Sequence, residues 1–258
     1  MTRAPLPRYG SDPLEEGLSL TPLPDPPPEE GLVVERSPEG HLRVRRLGPG
    51  APGALLVDHR SPESARRFSE GKKGLLGRAT GIARGSRPVL WDATGGLGRD
   101  ALQLARLGAT VTLWERDPVV RALCREGLER VGEGEDELAQ AARERVTVRE
   151  GSAVEGMAEH LRSGASPPEV VFLDPMFPER GSALPKLEAQ MLAALCGEGG
   201  CPEEERALFE AAVALRPHRV VVKRPRHAPE IAGQPADQRF EGRSVRFDLY
   251  LPRTPSGA

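Results

Sequence analysis

Short apolar runs alternate with amphipathic segments from Pro88 onward, and this alternation constrains the fold more than any other feature. The runs are rich in Val and Leu, as strands buried on both faces are. They occupy residues 89–91, 110–114, 146–148, 170–173 and 220–222. Strands that alternate with helices form parallel sheets covered on both faces. We therefore expect an α/β protein with a doubly wound, mostly parallel sheet.

Local signals predict where helices and a last strand lie. Asp117 and Pro118 are typical of an N-cap and a first helical residue, because the carboxylate accepts free N–H groups and proline needs no donor there. Near the end of the chain, residues 245–251 alternate polar and apolar side chains, which predicts an added edge strand, with an antiparallel orientation as one option. Helices are expected over residues 100–107, 118–131 and 203–215.

Composition divides the chain into three regions. Residues 1–30 are rich in proline, which favours extended or disordered chain and predicts a tail. Residues 31–60 contain short apolar runs separated by glycine and proline, which predict a small N-terminal β subdomain. Residues 61–258 contain the alternating pattern and make up the expected Rossmann-like domain.

Composition also limits the partners and the compartment. The formal net charge is -2, so contacts with nucleic acid must come from local basic patches. Cys124, Cys196 and Cys201 lack the paired spacing of a zinc site. Nothing in the sequence resembles a secretory leader, and no apolar run approaches the roughly 20 residues that span a bilayer. We therefore expect a cytoplasmic protein without a metal or a membrane partner.

A glycine-rich turn joins the first predicted strand to the following helix. Residues 92–100 (DATGGLGRD) lie at the carboxyl end of that strand, where open α/β sheets bind ligands. Gly96 and Gly98 would let the backbone approach a ligand closely. Residues 96–101 also fit the dinucleotide fingerprint, with alanine in its last position. The turn therefore leaves two cofactors open, a nicotinamide dinucleotide and S-adenosylmethionine.

Two acidic residues at strand ends bear on that choice. Glu115 ends the second predicted strand, where a carboxylate can accept the ribose hydroxyls of either cofactor. A surface ion pair with Arg116 or Arg99 is the alternative. Asp92 lies at the tip of the first strand, where its carboxylate suits a sulfonium or an amino group and would repel a pyrophosphate. Asp92 therefore favours S-adenosylmethionine.

Residues 174–178 (DPMFP) follow the fourth predicted strand and project from the same sheet edge. The exocyclic amine of a base is a poor nucleophile because its lone pair is delocalised, so an enzyme must orient it and accept its hydrogens. Asp174 and a backbone carbonyl held by Pro175 suit that task, and Phe177 offers a face for base stacking. A plain strand-end turn is the alternative. Together these residues predict methyl transfer to a base amine.

These motifs resemble one known family, RsmJ, the bacterial small-subunit ribosomal RNA guanine-N2 methyltransferases. The resemblance covers about residues 56–250 and rests on residues 92–100, 113–120 (LWERDPVV), 173–178 (LDPMFP) and 220–225 (VVVKRP). It implies the class I fold of S-adenosylmethionine-dependent methyltransferases, with S-adenosylmethionine as cofactor. It also implies ribosomal RNA or the small ribosomal subunit as partner, and N2-methylguanine as product.

The resemblance further implies which side chains surround the cofactor and the target base. Arg99 and Asp100 line the cofactor, Glu115 and Arg116 surround its ribose and adenine, Ser152 and Ala153 lie beside the adenine, and Asp174 lies between the cofactor and the base. Ala153 departs from the family, which usually has a second serine there, so the backbone alone would serve.

Two basic segments are candidates for binding the phosphates of an RNA substrate. The first lies among glycines before the first predicted strand, and a solvated surface is the alternative for it. The second lies just past the fifth strand, at the ligand edge of the sheet. Their residues are Arg66, Arg67, Lys72 and Lys73 in the first segment, and Lys223 and Arg224 in the second.

Three other functions stay open on the sequence. A methyltransferase could act on another base amine or on a protein amide, because an Asp-Pro-aromatic motif alone would serve an adenine or cytosine amine equally well. A nicotinamide-dependent oxidoreductase would explain the glycines, but it leaves residues 174–178 unexplained. A non-catalytic RNA-binding module would not need Asp92, Glu115 and Asp174 together.

Overall fold

The computed structural model describes residues 6–10, 18, 20–61, 71–82, 86–134, 136–176, 187–197 and 201–252. The strands form two sheets. The N-terminal sheet contains β1 (Arg8–Gly10), β2 (Thr21–Pro22), β3 (Leu32–Arg36) and β4 (Leu42–Arg46). The larger sheet contains β5 (Val89–Asp92), β6 (Thr110–Glu115), β7 (Val146–Glu150), β8 (Val170–Leu173), β9 (Arg219–Pro225), β10 (Gln238–Glu241) and β11 (Val245–Tyr250).

The larger sheet confirms the predicted doubly wound α/β fold. Its strand order is β10-β11-β9-β8-β5-β6-β7. The strands from β5 to β9 pair in parallel, whereas β11 runs antiparallel to both of its neighbours, β9 and β10. The order reverses between β5 and β8, and such a switch point is where open α/β sheets bind ligands.

Helices cover both faces of this sheet. The described helices are α1 (Leu75–Thr80), α2 (Arg99–Arg106), α3 (Pro118–Gly132), α4 (Glu137–Arg143), α5 (Ala153–Ser163), α6 (Leu187–Cys196) and α7 (Pro202–Ala214). Phe172 and Val221 pack towards α1 to α4, whereas Val171 and Val222 pack towards α5 and α7, because neighbouring strand residues face opposite sides. No helix in the described part of the chain is long and apolar enough to cross a membrane.

The N-terminal sheet packs against α3, with Leu32 and Val44 in one apolar cluster with Leu123. Its strand order is β2-β1-β3-β4. Residues 54–57, one of the short apolar runs of the predicted β subdomain, contribute a bridge between Leu55 and Val44. This sheet therefore shares its core with a helix of the larger domain, and the proposed boundaries at residues 30 and 60 stay a prediction.

The tail expected over residues 1–30 is partly built into that sheet. Both β1 and β2 come from this segment, and β1 pairs in parallel with β3. The N–H of Leu6 donates to the carbonyl of Ala194 at 2.9 Å, and the guanidinium of Arg8 contacts the carboxylate of Asp117. The prediction of a tail was therefore wrong for β1 and β2. Short strands pair through backbone hydrogen bonds and need few apolar side chains, so a proline-rich composition does not exclude them.

The strand predicted at residues 245–251 is present as β11, antiparallel, but it does not form the edge of the sheet. Strand β10 lies beyond it, with Phe240 paired to Phe247. The sequence of β10 has a single buried residue among four, which is too little for a recognisable period of two. The prediction therefore missed β10 and misplaced the edge.

Candidate active site

The parallel strands of the larger sheet bring four charged side chains to one edge. Because parallel strands share a direction, their carboxyl ends meet at the same side of the sheet. Asp92 ends β5, Glu115 ends β6, Asp174 follows β8 and Lys223 lies in the last half of β9. The motifs found separately in the sequence therefore form one site.

The glycine-rich loop after β5 is tied to the end of β6. The N–H of Gly95 donates to the carbonyl of Trp114 at 2.9 Å, and the N–H of Gly96 donates to Glu115 Oε2 at 2.9 Å. A Cβ at position 95 would lie 2.3 Å from a side chain of β6, so loop and strand approach this closely because the residue is glycine. Gly98 has a φ of 78° and directly precedes α2.

Glu115 holds two backbone groups with its carboxylate. Its Oε1 accepts the N–H of Asp117 at 2.7 Å, in addition to the bond from Gly96. Asp117 in turn accepts the N–H groups of Val119 and Val120 at 3.0 Å and caps α3. Burial raises the pKa of Glu115. Each carboxylate oxygen has a second lone pair, so Glu115 can still accept ribose hydroxyls.

Asp92, Asp100 and Asp174 crowd together beside Lys223. Asp92 is 2% exposed, and burial, with repulsion from Asp100 and Asp174, raises its pKa to about 8. Lys223 Nζ lies 2.6 Å from Asp100 Oδ2 and 2.7 Å from Asp174 Oδ2. Burial also raises the pKa of Asp174, although Lys223 opposes that shift. This acidic corner, as we call these four residues, suits a cationic group.

Two residues that the sequence did not single out connect the parts of the site. The backbone N–H of Asp174 donates to Thr94 Oγ1 at 2.6 Å, and the N–H of Thr94 donates to Asp92 Oδ1 at 3.1 Å. Glu188 of α6 binds the guanidinium of Arg99 through two contacts, at 2.7 and 2.9 Å. Their partners are 80 and 89 residues away, so no local pattern could have indicated these contacts.

Of three further predicted cofactor residues, Ser152 and Ala153 lie at the carboxyl edge of the larger sheet, and Arg116 lies at the surface. Ser152 is the N-cap residue of α5 and Ala153 its first residue, directly after β7, which pairs with β6. Arg116 is instead solvated: its side chain is 63% exposed and lies 3.0 Å from Glu204 of α7. Pro175 follows Asp174 in the described chain.

The structure describes only part of the first predicted basic segment. Lys72 and Lys73 are exposed just before α1. Arg66 and Arg67 lie outside the described residues, as does Phe177. Their proposed contacts with RNA therefore stay predictions.

Arg224 is placed differently from its prediction as a phosphate contact. Its side chain is 2% exposed and its guanidinium lies 2.9 Å from Glu205. It also donates to the carbonyl of Pro229 at 3.2 Å. Arg224 therefore connects β9 to α7 inside the protein and cannot reach a phosphate. Lys223 faces the acidic corner rather than open solvent. It lies on the opposite face of β9 from Arg224, because neighbouring side chains along a strand alternate between the two faces.

The acidic corner fits S-adenosylmethionine and opposes a nicotinamide dinucleotide. The sulfonium and the amino group of S-adenosylmethionine are cationic, and carboxylates stabilise them. A pyrophosphate would meet the same carboxylates and be repelled. In the described part of the chain, no group of three or more His, Cys, Asp or Glu side chains could hold a metal ion.

Fold and site together define a class I S-adenosylmethionine-dependent methyltransferase. A family profile described as a putative SAM-dependent methyltransferase matches residues 23–252. Proteins from Dechloromonas aromatica (strain RCB) and Pseudomonas aeruginosa (strain UCBPP-PA14), both named ribosomal RNA small subunit methyltransferase J, are each 43% identical to this chain. The chain belongs to the ribosomal RNA small subunit methyltransferase J family.

The similarity extends over nearly the whole chain. The match to the Dechloromonas protein spans 88% of this chain and 90% of that protein, and the match to the Pseudomonas protein spans 86% and 83%. A crystal structure of a SAM-dependent methyltransferase from Neisseria gonorrhoeae is 31% identical, with a TM-score of 0.71, and the match covers 97% of this chain and 96% of that one. The shared fold therefore includes the N-terminal sheet.

Proposed function

We propose that this protein transfers the methyl group of S-adenosylmethionine to the exocyclic N2 amine of a guanine in small-subunit ribosomal RNA. The observation that carries the proposal is the position of Asp174, which Thr94 and Lys223 connect to the glycine-rich loop at residues 92–100, here called the cofactor loop. The name of the relatives supports RNA of the small ribosomal subunit as substrate. The family resemblance as a whole, and not the motif at residues 174–178 alone, supports the guanine N2 atom. Such a substrate is found in the cytoplasm.

The bound cofactor supplies an electrophilic methyl group on its sulfur. The N2 lone pair forms the new N–C bond as the C–S bond breaks, and S-adenosylhomocysteine is the second product. Asp174 accepts a hydrogen from the amine and orients its lone pair, and the proton released after transfer passes to Asp174 or to water. The carbonyl of Pro175 accepts the other hydrogen, and Phe177 stacks on the base.

We assign the cofactor to the edge formed by β5, β6 and β7. Glu115 accepts its ribose hydroxyls, and Asp92 and Asp100 face its cationic groups. The remaining residues assigned to this pocket are Gly96, Gly98, Arg99, Ser152 and Ala153, with Arg116 at its exposed margin, where it pairs with Glu204.

Exposed basic side chains lie at the same edge and are assigned to the RNA phosphates. Leu75, which begins α1, lies against Gly242 in the turn between β10 and β11. The N–H of Arg226 donates to the carbonyl of Ser244 at 2.9 Å in that turn. Val245 pairs with Pro225, so the turn lies at the carboxyl end of β9. We call this set the basic edge; its members are Lys72, Lys73, Arg226 and Arg243.

The proposal is tested by a labelled methyl-transfer assay. The protein is incubated with labelled S-adenosylmethionine and either purified small subunits or total RNA from a strain that lacks the gene, and labelled nucleosides are then identified. We expect N2-methylguanosine from small-subunit RNA, and none with Asp174→Ala. Label on adenine, cytosine or protein would overturn the substrate. Binding of a nicotinamide dinucleotide without binding of S-adenosylhomocysteine would overturn the reaction class.

A further inference from the structure

Lys223 connects two elements of the site through two carboxylates. Its Nζ lies 2.6 Å from Asp100 Oδ2, in the first turn of α2, and 2.7 Å from Asp174 Oδ2, after β8. The lysine side chain is 19% exposed and the Asp100 side chain 17%. Two of the three ammonium donors are therefore used inside the protein.

This geometry conflicts with a role in binding phosphate. An RNA phosphate would have to displace Asp100 and Asp174 and then lie among the carboxylates of the acidic corner, which repel it. Lys72, Lys73 and Arg243 of the basic edge are exposed, and the 3.7 Å ion pair of Arg226 with Glu241 is exposed too, so phosphates reach these side chains without entering the acidic corner. The sequence-based assignment of Lys223 to RNA binding is therefore replaced by a role inside the site.

We infer that Lys223 is a positioning residue, which fixes the carboxylate of Asp174 for the target amine and couples it to the cofactor loop through Asp100. This inference rests on the proposed function of Asp174. Thr94 donates to Asp92, on β5, and accepts the N–H of Asp174, so the three carboxylates of Asp92, Asp100 and Asp174 share one corner. Their repulsion and burial favour protonation of Asp174, and a protonated Asp174 is a poorer hydrogen-bond acceptor. The positive charge of Lys223 opposes that protonation and so keeps Asp174 able to accept a hydrogen bond.

Neutral and charge-conserving variants test the inference by steady-state kinetics. We expect Lys223→Met to lower kcat by roughly a hundredfold, the scale of a small misplacement of a reacting group. KM for RNA and its salt dependence should stay near wild type. The acid limb of the kcat profile should move up by about one to three pH units, because an opposite charge shifts a carboxyl pKa by that amount. Lys223→Arg should restore part of kcat and return the acid limb of its pH profile part of the way to the wild-type position.

Lys73→Met provides the matched comparison, a lysine of the basic edge changed in the same way. It should raise KM for RNA and lower its salt dependence, without moving the acid limb. If Lys223→Met behaves like Lys73→Met, Lys223 is a phosphate contact and the inference is overturned. An unchanged kcat for Lys223→Met would overturn it as well.

A measurement on the ligand-free protein separates this inference from the proposed function. The carboxyl signal of Asp174, labelled with 13C and assigned by its loss in Asp174→Asn, is titrated by NMR. We expect a higher midpoint pH in Lys223→Met than in wild type, and an equal midpoint would overturn the link. If the wild-type protein methylates no ribosomal RNA while the midpoint moves, the proposed function fails and the link stands. Lys223→Gln replaces Lys223→Met if melting shows that the methionine variant is unfolded.

Discussion

The carboxylate of Glu115 accepts the backbone N–H of Gly96 at 2.9 Å, so the end of β6 holds the cofactor loop. The same carboxylate accepts the N–H of Asp117, the N-cap of α3. One side chain therefore orders the loop and the start of a helix, and it remains able to accept ribose hydroxyls. Loss of Glu115 should thus affect cofactor binding both directly and through the loop.

We predict that Glu115→Ala weakens binding of S-adenosylhomocysteine by about 1.5 to 3 kcal/mol, the scale for hydrogen bonds to a charged group. Calorimetry measures the change. Glu150→Ala is the matched control, since Glu150 pairs with Glu115 in register on β7 but its side chain is 74% exposed. Equal affinities for wild type and Glu115→Ala would contradict the role of this residue.

Asp174→Ala should remove turnover, by at least roughly a hundredfold, because the amine loses the acceptor that orients it. Affinity for S-adenosylhomocysteine should stay within a few-fold of wild type. Parallel methyl-transfer and calorimetric measurements separate the two effects. Near-normal turnover on small-subunit RNA would show that another group orients the base.

Phe177→Ala should weaken RNA engagement by about 1 to 3 kcal/mol, the value of one stacked base. The change is measured as KM for RNA, with Phe177→Tyr as the variant that keeps an aromatic face. A lower kcat with an unchanged KM would argue against stacking as the main role of Phe177.

Asp92→Asn should stabilise the ligand-free protein at neutral pH. The pKa of Asp92 is raised from 3.8 to about 8, so between these values the unfolded chain carries the charge and the folded protein holds the proton. Stability of the wild type therefore falls as pH rises through this window and levels off above it. Asparagine keeps an acceptor for the N–H of Thr94 but does not titrate.

We expect a stabilisation by Asp92→Asn of about 0.5 to 2 kcal/mol at pH 8, measured by urea unfolding, which vanishes near pH 4. The same variant should bind S-adenosylhomocysteine more weakly, because the cationic amino group of the ligand favours the ionised form of Asp92 and asparagine cannot ionise. A stability difference that does not change with pH would show that Asp92 is already ionised in the folded protein.

Charge removal at the basic edge should weaken RNA binding in a salt-dependent way. For Lys72→Gln with Lys73→Gln, or Arg226→Gln with Arg243→Gln, the slope of log affinity against log salt should flatten by about 0.7 to 0.9 for each phosphate that the variant no longer neutralises. Arg162→Gln with Arg216→Gln removes the same charge from exposed positions at the opposite end of the sheet. If all three pairs give the wild-type slope, the basic edge does not bind RNA.

Local sequence signals were sufficient for the α/β fold and for the location of the site. Apolar runs predicted β5 to β9, Asp117 and Pro118 fixed the start of α3, and its predicted end at residue 131 is one residue short of the observed end. Because carboxyl ends of parallel strands meet, the strand pattern alone was enough to place the motifs containing Asp92, Glu115 and Asp174 together. Strands β3 and β4 lie within the predicted β subdomain, whereas β1, β2 and β10 were not predicted, since each is short and holds its position mainly through backbone pairing.

Tertiary structure decided what each charged side chain does. A sequence shows the sign of a charge but not its partner, and Lys223 has its partners 123 and 49 residues away. Lys223 and Arg224 looked like one basic patch, yet neighbouring residues on a strand face opposite sides, so one joins the acidic corner and the other pairs with Glu205. The β10–β11 turn, which contains Arg243 and contacts Arg226, lies against Leu75 at the start of α1, just after Lys72 and Lys73. The chemistry-bearing motifs are local in the chain, whereas electrostatic partners depend on distances that folding alone creates.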